Sequence, residues 1–139
     1  MTTTGHGAVG HHQGGCLCGG VRYEVRGPLR DVIACHCSQC RRTSGHFVAA
    51  AAASTADLHF ICDVSLTWYA SSAAAERGFC STCGSNLFWR PTTPEAHTTS
   101  IMAGTLDVPT GLRVIRHIFV ADKSDYYDID DGLPQEAGW

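Results

Sequence analysis

"GGCLCGGVRYEVRG", residues 14–27, places two cysteines one residue apart just before a run of strict alternation. Val21, Tyr23 and Val25 point one way and Arg22, Glu24 and Arg26 the other, the period of a half-buried β-strand. The C-x-C of Cys16 and Cys18 sets both thiols on one face of extended chain, because side chains repeat every two residues there. A pair of thiols is half of a tetrahedral metal site. The other half is the C-x-x-C-G of Cys80, Cys83 and Gly84, where the glycine permits a positive φ that turns backbone N–H groups toward sulfur. Together the pairs make one closed four-cysteine site that ties residue 16 to residue 83.

Outward from this anchor the chain reads as short strands. "VIACHC" (32–37) is a strand after the turn "GPLRD", and "CSQCRRTSG" (37–45) fits a turn with one short helical turn. "FVAAAAAS" (47–54) suits helix or strand on composition; its length and neighbours favour strand. "LHFICD", "SLTWYAS", "ERGFC", the segment after the Cys83 knuckle, "TSIMAGTLD" and "LRVIRHIFVA" continue the pattern. The sum is about eight strands with little helix, a mainly β fold. The expected organisation is a flexible tail over 1–14 that includes His6, His11 and His12, a single domain over 15–134, and a C-terminal tail over 135–139.

Cys35, Cys37 and Cys40 form a second cluster. Cys35 and Cys37 share a strand face, and Cys40 returns over them after a short turn. Three thiolates then converge from one loop and leave a fourth position for water, substrate or a side chain. His36 alternates with the ligands and should point away; His46 is the better candidate for closing the site, and Cys62 reads as a small buried hydrophobe. A disulfide framework is the competing use of eight cysteines, but Cys16 and Cys18 are too close for easy mutual bridging.

Composition narrows the function classes. A net charge of −3 gives no electrostatic case for nucleic acid. No stretch is long and apolar enough to span a membrane, and the N-terminal segment lacks the basic and apolar regions of a signal peptide, so cytoplasm is the expected compartment. There, metal or redox chemistry is the first use of cysteine. His117 is expected as a satisfied core histidine or a proton relay, Asp107 as a turn residue, and the aspartates between 122 and 131 as a solvated acidic edge.

The segments "GGCLCGGVRY", "CHCSQCRRTSG", "WYASS", "RGFCSTCGSNLF", "AGTLD" and "HIFVADKSDYYDIDDGLP", in this order, resemble the glutathione-dependent formaldehyde-activating family, which also contains centromere protein V. The resemblance runs over roughly residues 15–134 and departs from the family pattern at Asp63 and Gln135. It implies a β-tent architecture with two zinc ions. One, structural, is on Cys16, Cys18, Cys80 and Cys83; the other is at an open site on Cys35, Cys37 and Cys40. It implies a carbon–sulfur lyase that reversibly joins formaldehyde to the glutathione thiol. In that setting the open site is catalytic, its metal activating the thiol. Arg41 and Arg42 are placed to grip a glutathione carboxylate. Ser38, Gln39, Thr43 and Ser44 are placed to hydrogen-bond sulfur or substrate amides. Two other functions compete: a glutathione-binding carrier or sensor without turnover, and a structural zinc module for protein contacts.

Overall fold

The computed structural model describes residues 10–139. Its strands are β1 (His11–Gly15), β2 (Arg22–Arg26), β3 (Arg30–Cys35), β4 (Val48–Ser54), β5 (Leu58–Cys62), β6 (Leu66–Ser72), β7 (Ala75–Cys80), β8 (Asn86–Pro91), β9 (Thr98–Met102) and β10 (Val114–Ile118), with one short helix α1 (Ser38–Ser44). They form two sheets: a three-stranded sheet ordered β1-β2-β5 and a seven-stranded sheet ordered β10-β3-β4-β9-β8-β7-β6. All pairings are antiparallel except β10 with β3. The mainly β expectation holds, and the alanine-rich segment is a strand.

Alternation assigns the two faces of the large sheet. Ala51, Ala53, Phe88 and Ile101 face the small sheet and pack on Val21, Tyr23 and Val25 in the core. Their neighbours in register, Ala50, Trp89 and Met102, face the other way with Cys35 and Val48. Alanine suits β4 because this strand is covered on both faces, and it lets the two sheets approach closely.

Two boundaries differ from the sequence expectation. Residues 11–14 are not tail: β1 pairs with β2 from His11 opposite Arg26 to Gly15 opposite Arg22, and His11 Nε2 meets Glu24 Oε2 at 2.6 Å. The low complexity of this segment hid a strand whose bonds are mostly backbone. His6 lies outside the described residues. Residues 135–139 also lie against β10. His117 N–H donates to Pro134 O and Glu136 N–H to His117 O, each at 2.9 Å, and Phe119 N–H reaches Gly138 O at 2.8 Å. Trp139 is held by the Arg116 guanidinium 5.2 Å from its ring. Among the described residues no helix is long and apolar enough to cross a membrane.

Gly14 is required where β1 crosses Tyr23. A Cβ there would sit 2.4 Å from both the Tyr23 hydroxyl oxygen and the Thr105 carbonyl oxygen. Tyr23 is fully buried and its hydroxyl is 2.7 Å from Thr105 Oγ1, so it has nowhere to move. Gly14→Ala should cost about 1–3 kcal/mol by overpacking, which thermal melting would read as a Tm drop of roughly 3–10 °C.

Candidate functional site

The strand ends deliver two groups of thiols. Cys16 and Cys18 lie on the β1–β2 connection, Cys80 ends β7, and Cys83 lies on the knuckle before β8. Their sulfurs all fall within 4.8 Å of one another. Cys18 Sγ is 3.7 Å from Cys16 Sγ and 3.6 Å from Cys80 Sγ. Zinc–sulfur bonds of about 2.3 Å in a tetrahedron place sulfurs about 3.8 Å apart, so the donor set fits such an ion. The expected knuckle geometry is present: Gly84 has φ 79 and donates its N–H to Cys80 O at 2.8 Å. Val21 N–H points at Cys16 Sγ, 3.2 Å away, and Cys83 N–H at Cys80 Sγ, 3.4 Å away. The Ser85 hydroxyl, 3.2 Å from Cys83 Sγ, leads the groups that push that thiol down to about 5. Ser65 does the same in direction for Cys80. Hydrogen bonds to sulfur favour the anionic form that a metal needs.

The second group forms where β3 runs into α1. Cys35 ends the strand, Cys37 caps the helix and accepts Cys40 N–H at 3.3 Å, and Cys40 is buried in the first turn. These three sulfurs also lie within 4.8 Å of one another. Gly45, with φ 82, ends the helix after seven residues and turns the chain into β4. Cys40 is pushed down to about 6, first by its hydrogen bond from Cys35, then by Cys37 and by the Arg77 charge, against the opposing effect of burial. Cys35 is driven up by the same hydrogen bond. The Arg77 guanidinium beside Cys40 favours its anionic form.

Arg77 is the functional residue that sequence reading missed. It projects from β7, is 5 % exposed, and places Nη2 and Nη1 at 3.8 and 3.9 Å from Cys40 Sγ. Its Nη1 also reaches Thr43 Oγ1 at 3.4 Å, and its Nε is buried without a partner. Its neighbour along the chain is Glu76. On a strand adjacent side chains face opposite ways, and Glu76 pairs instead with Arg90 at 2.6 Å.

The cysteine triad opens on a cavity of about 450 Å³ on the outer face of the large sheet. Ile33, Val48, Met102, Trp89, Phe119 and Trp139 supply apolar wall, while Arg77 and Arg30 also line it. A shallower, polar groove of about 200 Å³ lies across α1, lined by Ser38, Gln39, Arg42, Thr43, Tyr69 and Ser71, and shares Gln39 and Arg77 with the cavity. Arg42 thus sits in the groove, whereas Arg41 lines neither space and has a buried Nε without a partner. Ser44 turns inward to Cys40 O at 2.7 Å.

His46 does not complete the triad. Its Nδ1 is engaged by the Tyr126 hydroxyl, and its ring stacks on Tyr126. Cys62 is half-buried and directs its sulfur to Gly20 O at 3.4 Å. His36 does point away from the cysteines, into a hydrogen-bonded chain. Asp131 Oδ2 lies 2.7 Å from His117 Nε2, His117 Nδ1 lies 2.9 Å from His36 Nε2, and His36 Nδ1 meets the Tyr127 hydroxyl. The carboxylate accepts from His117, so His117 Nδ1 accepts from His36 and His36 Nδ1 accepts from Tyr127. His117 is therefore a satisfied buried histidine, and one aspartate of the acidic C-terminal segment anchors it. Asp107 pairs with Arg22 at 2.8 Å.

Burial, then the repulsion that a second protonated ring beside His117 would create, lowers the His36 pKa to about 4. The unfolded chain binds that proton more readily, so the chain's contribution to stability is complete above pH 6.5 and is lost as pH falls toward 4. An NMR titration of the zinc-loaded protein should find His36 neutral down to pH 5; a midpoint above 6 would contradict this arrangement.

Comparison with known proteins matches residues 11–122 to the family described as glutathione-dependent formaldehyde-activating enzyme. The chain belongs to that family. It is also similar to a crystal structure of a Rhodobacter sphaeroides protein, a structural genomics target, with 26% identity and a TM-score of 0.58. That match covers 88% of this chain and 98% of the other. Family membership associates the fold with enzymes of glutathione-related formaldehyde activation, and the two thiol groups are its candidate metal sites.

Proposed function

We propose that the chain is a zinc-dependent carbon–sulfur lyase that makes and breaks the bond between the glutathione sulfur and the carbon of formaldehyde. The observation that supports this best is a three-thiol cluster with no fourth protein ligand among the described residues, opening on a cavity. The thiol adds across the carbonyl: a C–S bond forms, the C=O π bond breaks, and the thiol proton ends on the alcohol oxygen. No oxidant or reductant is needed.

Zinc held by Cys35, Cys37 and Cys40 would supply Lewis acidity and lower the pKa of a thiol that reaches it. The chain's own groups do the rest. Arg77 keeps a positive charge 3.8 Å from Cys40 Sγ and so disfavours protonation of sulfur there. The apolar wall offers no competing polar groups, and the lower local dielectric beside it strengthens that charge effect. Arg42, Ser38 and Gln39 in the polar groove offer partners for a carboxylate and for peptide amides of glutathione.

Native mass spectrometry with and without glutathione, joined to NMR measurement of adduct exchange, tests the reading. Two zinc ions, one bound glutathione and exchange faster than in buffer are expected. Glutathione binding with exchange at the buffer rate would make the chain a carrier instead.

A further inference from the structure

The thiol–aldehyde reading leaves the large cavity unexplained. Its volume of about 450 Å³ compares with about 30 Å³ for one water in the liquid. Formaldehyde, with two heavy atoms, would leave nearly all of it as water against Ile33, Val48, Met102 and Trp89. Glutathione's peptide body would find polar partners there only in Gln39, Ser100 and the two arginines, against an otherwise apolar wall, and each amide left unpaired costs about 1–3 kcal/mol. The polar groove is the better place for that body, and it meets the cavity only at Gln39 and Arg77. The cavity is therefore left for the other half of the adduct.

Arg30 qualifies what that half carries. Between Arg30 opposite Ala52 and Ile33 opposite Ala50 the β3–β4 ladder shifts register by one residue. That bulge brings Arg30 onto the face of Ile33 and Cys35; without it, alternation would turn it into the core. The side chain hydrogen-bonds only to backbone, at 3.0 Å to Asp31 O and 3.5 Å to Ala50 O. No salt bridge among the described residues holds it; burial and the neighbouring Arg116 charge disfavour its charged form, and the Asp31 carboxylate offsets them only in part. A partly buried guanidinium in this state favours an incoming carboxylate. Along the strand Arg30 and Cys35 stand about 15 Å apart, which the two side chains shorten to a gap of roughly one ring plus its substituents.

We infer that, besides formaldehyde, the three-cysteine site takes as its preferred carbonyl compound an aldehyde with an apolar, ring-sized body and a carboxylate at its far end, seated between Cys35 and Arg30 with Trp89 along its side. This inference rests on the thiol–aldehyde reading. The chemistry is the same addition, with the same atom balance, on a larger carbonyl.

The test uses zinc-loaded protein and two readouts. Tryptophan fluorescence titration compares 4-methylbenzoate, which cannot react, with the uncharged 4-methylbenzyl alcohol. The carboxylate should bind at least tenfold more tightly; Arg30→Met should remove that preference and Arg30→Lys should retain most of it. NMR exchange with glutathione should then show 4-formylbenzoate accelerated at least tenfold more than formaldehyde. Equal binding of the two probes, or a preference untouched by Arg30→Met, overturns the inference even where formaldehyde exchange is fast. Arg30-dependent binding with no aldehyde accelerated would remove the lyase reading, and with it the assignment of the ligand as a carbonyl substrate.

Discussion

Cys83→Ser protein should carry one zinc fewer and melt at least about 12 °C below the parent, the shift expected of a loss of about 4 kcal/mol or more in a domain of this size. The closed site joins the connection between β1 and β2 to the end of β7, so its loss unpins the small sheet from the large one at that corner. Structural zinc sites contribute about 10–16 kcal/mol in zinc-finger peptides, against a net stability of about 5–15 kcal/mol for an ordinary domain. The β core here, with Tyr23, Phe88 and Leu87 fully buried, keeps the loss below that full amount. Serine retains the hydrogen bond from Ser85 but binds zinc poorly. Thermal melting with zinc counted by native mass spectrometry checks this; an unchanged Tm would mean that the core alone sets the stability.

Strands with clean alternation, such as β2, were legible because one face is buried and the other wet. The division of seven cysteines into four and three was legible too, because C-x-C and C-x-x-C turns are local geometry. What the sequence hid is non-local. β1 looks like a glycine–histidine tail until β2 pairs with it, and residues 135–139 look loose until β10 accepts their backbone bonds. His46 is a reasonable ligand in one dimension, but Tyr126, eighty positions away, takes its ring nitrogen. Arg77 meets Cys40, 37 positions away along the chain, only through the folding of the sheet. Arg30 depends on a bulge that no local pattern announces.

Cys40→Ser separates chemistry from folding. It should remove the second zinc and return glutathione–formaldehyde exchange to the buffer rate, while Tm falls by only about 3–9 °C. Cys40 is the most buried of the three thiols and the one that faces the Arg77 guanidinium, and Cys35 and Cys37 alone offer only two sulfurs to a metal. The stability cost has a specific source. Arg77, buried at 5 % exposure, would face a neutral hydroxyl in place of an anionic sulfur, a cost of about 1–3 kcal/mol. The β3–α1 corner keeps its other ties, since the Gly45 N–H bond to Arg41 O and the β3–β4 ladder do not involve that sulfur. Arg77→Met supplies the complementary result. It should retain two zinc ions, lose no unpaired charge to the interior, and slow exchange by roughly 10–100-fold, a loss of the size seen when a positioned electrostatic donor is removed. Rapid exchange in Cys40→Ser protein would place the chemistry away from the triad. Unchanged exchange in Arg77→Met protein would reduce that arginine to a structural partner of Cys40 and Thr43.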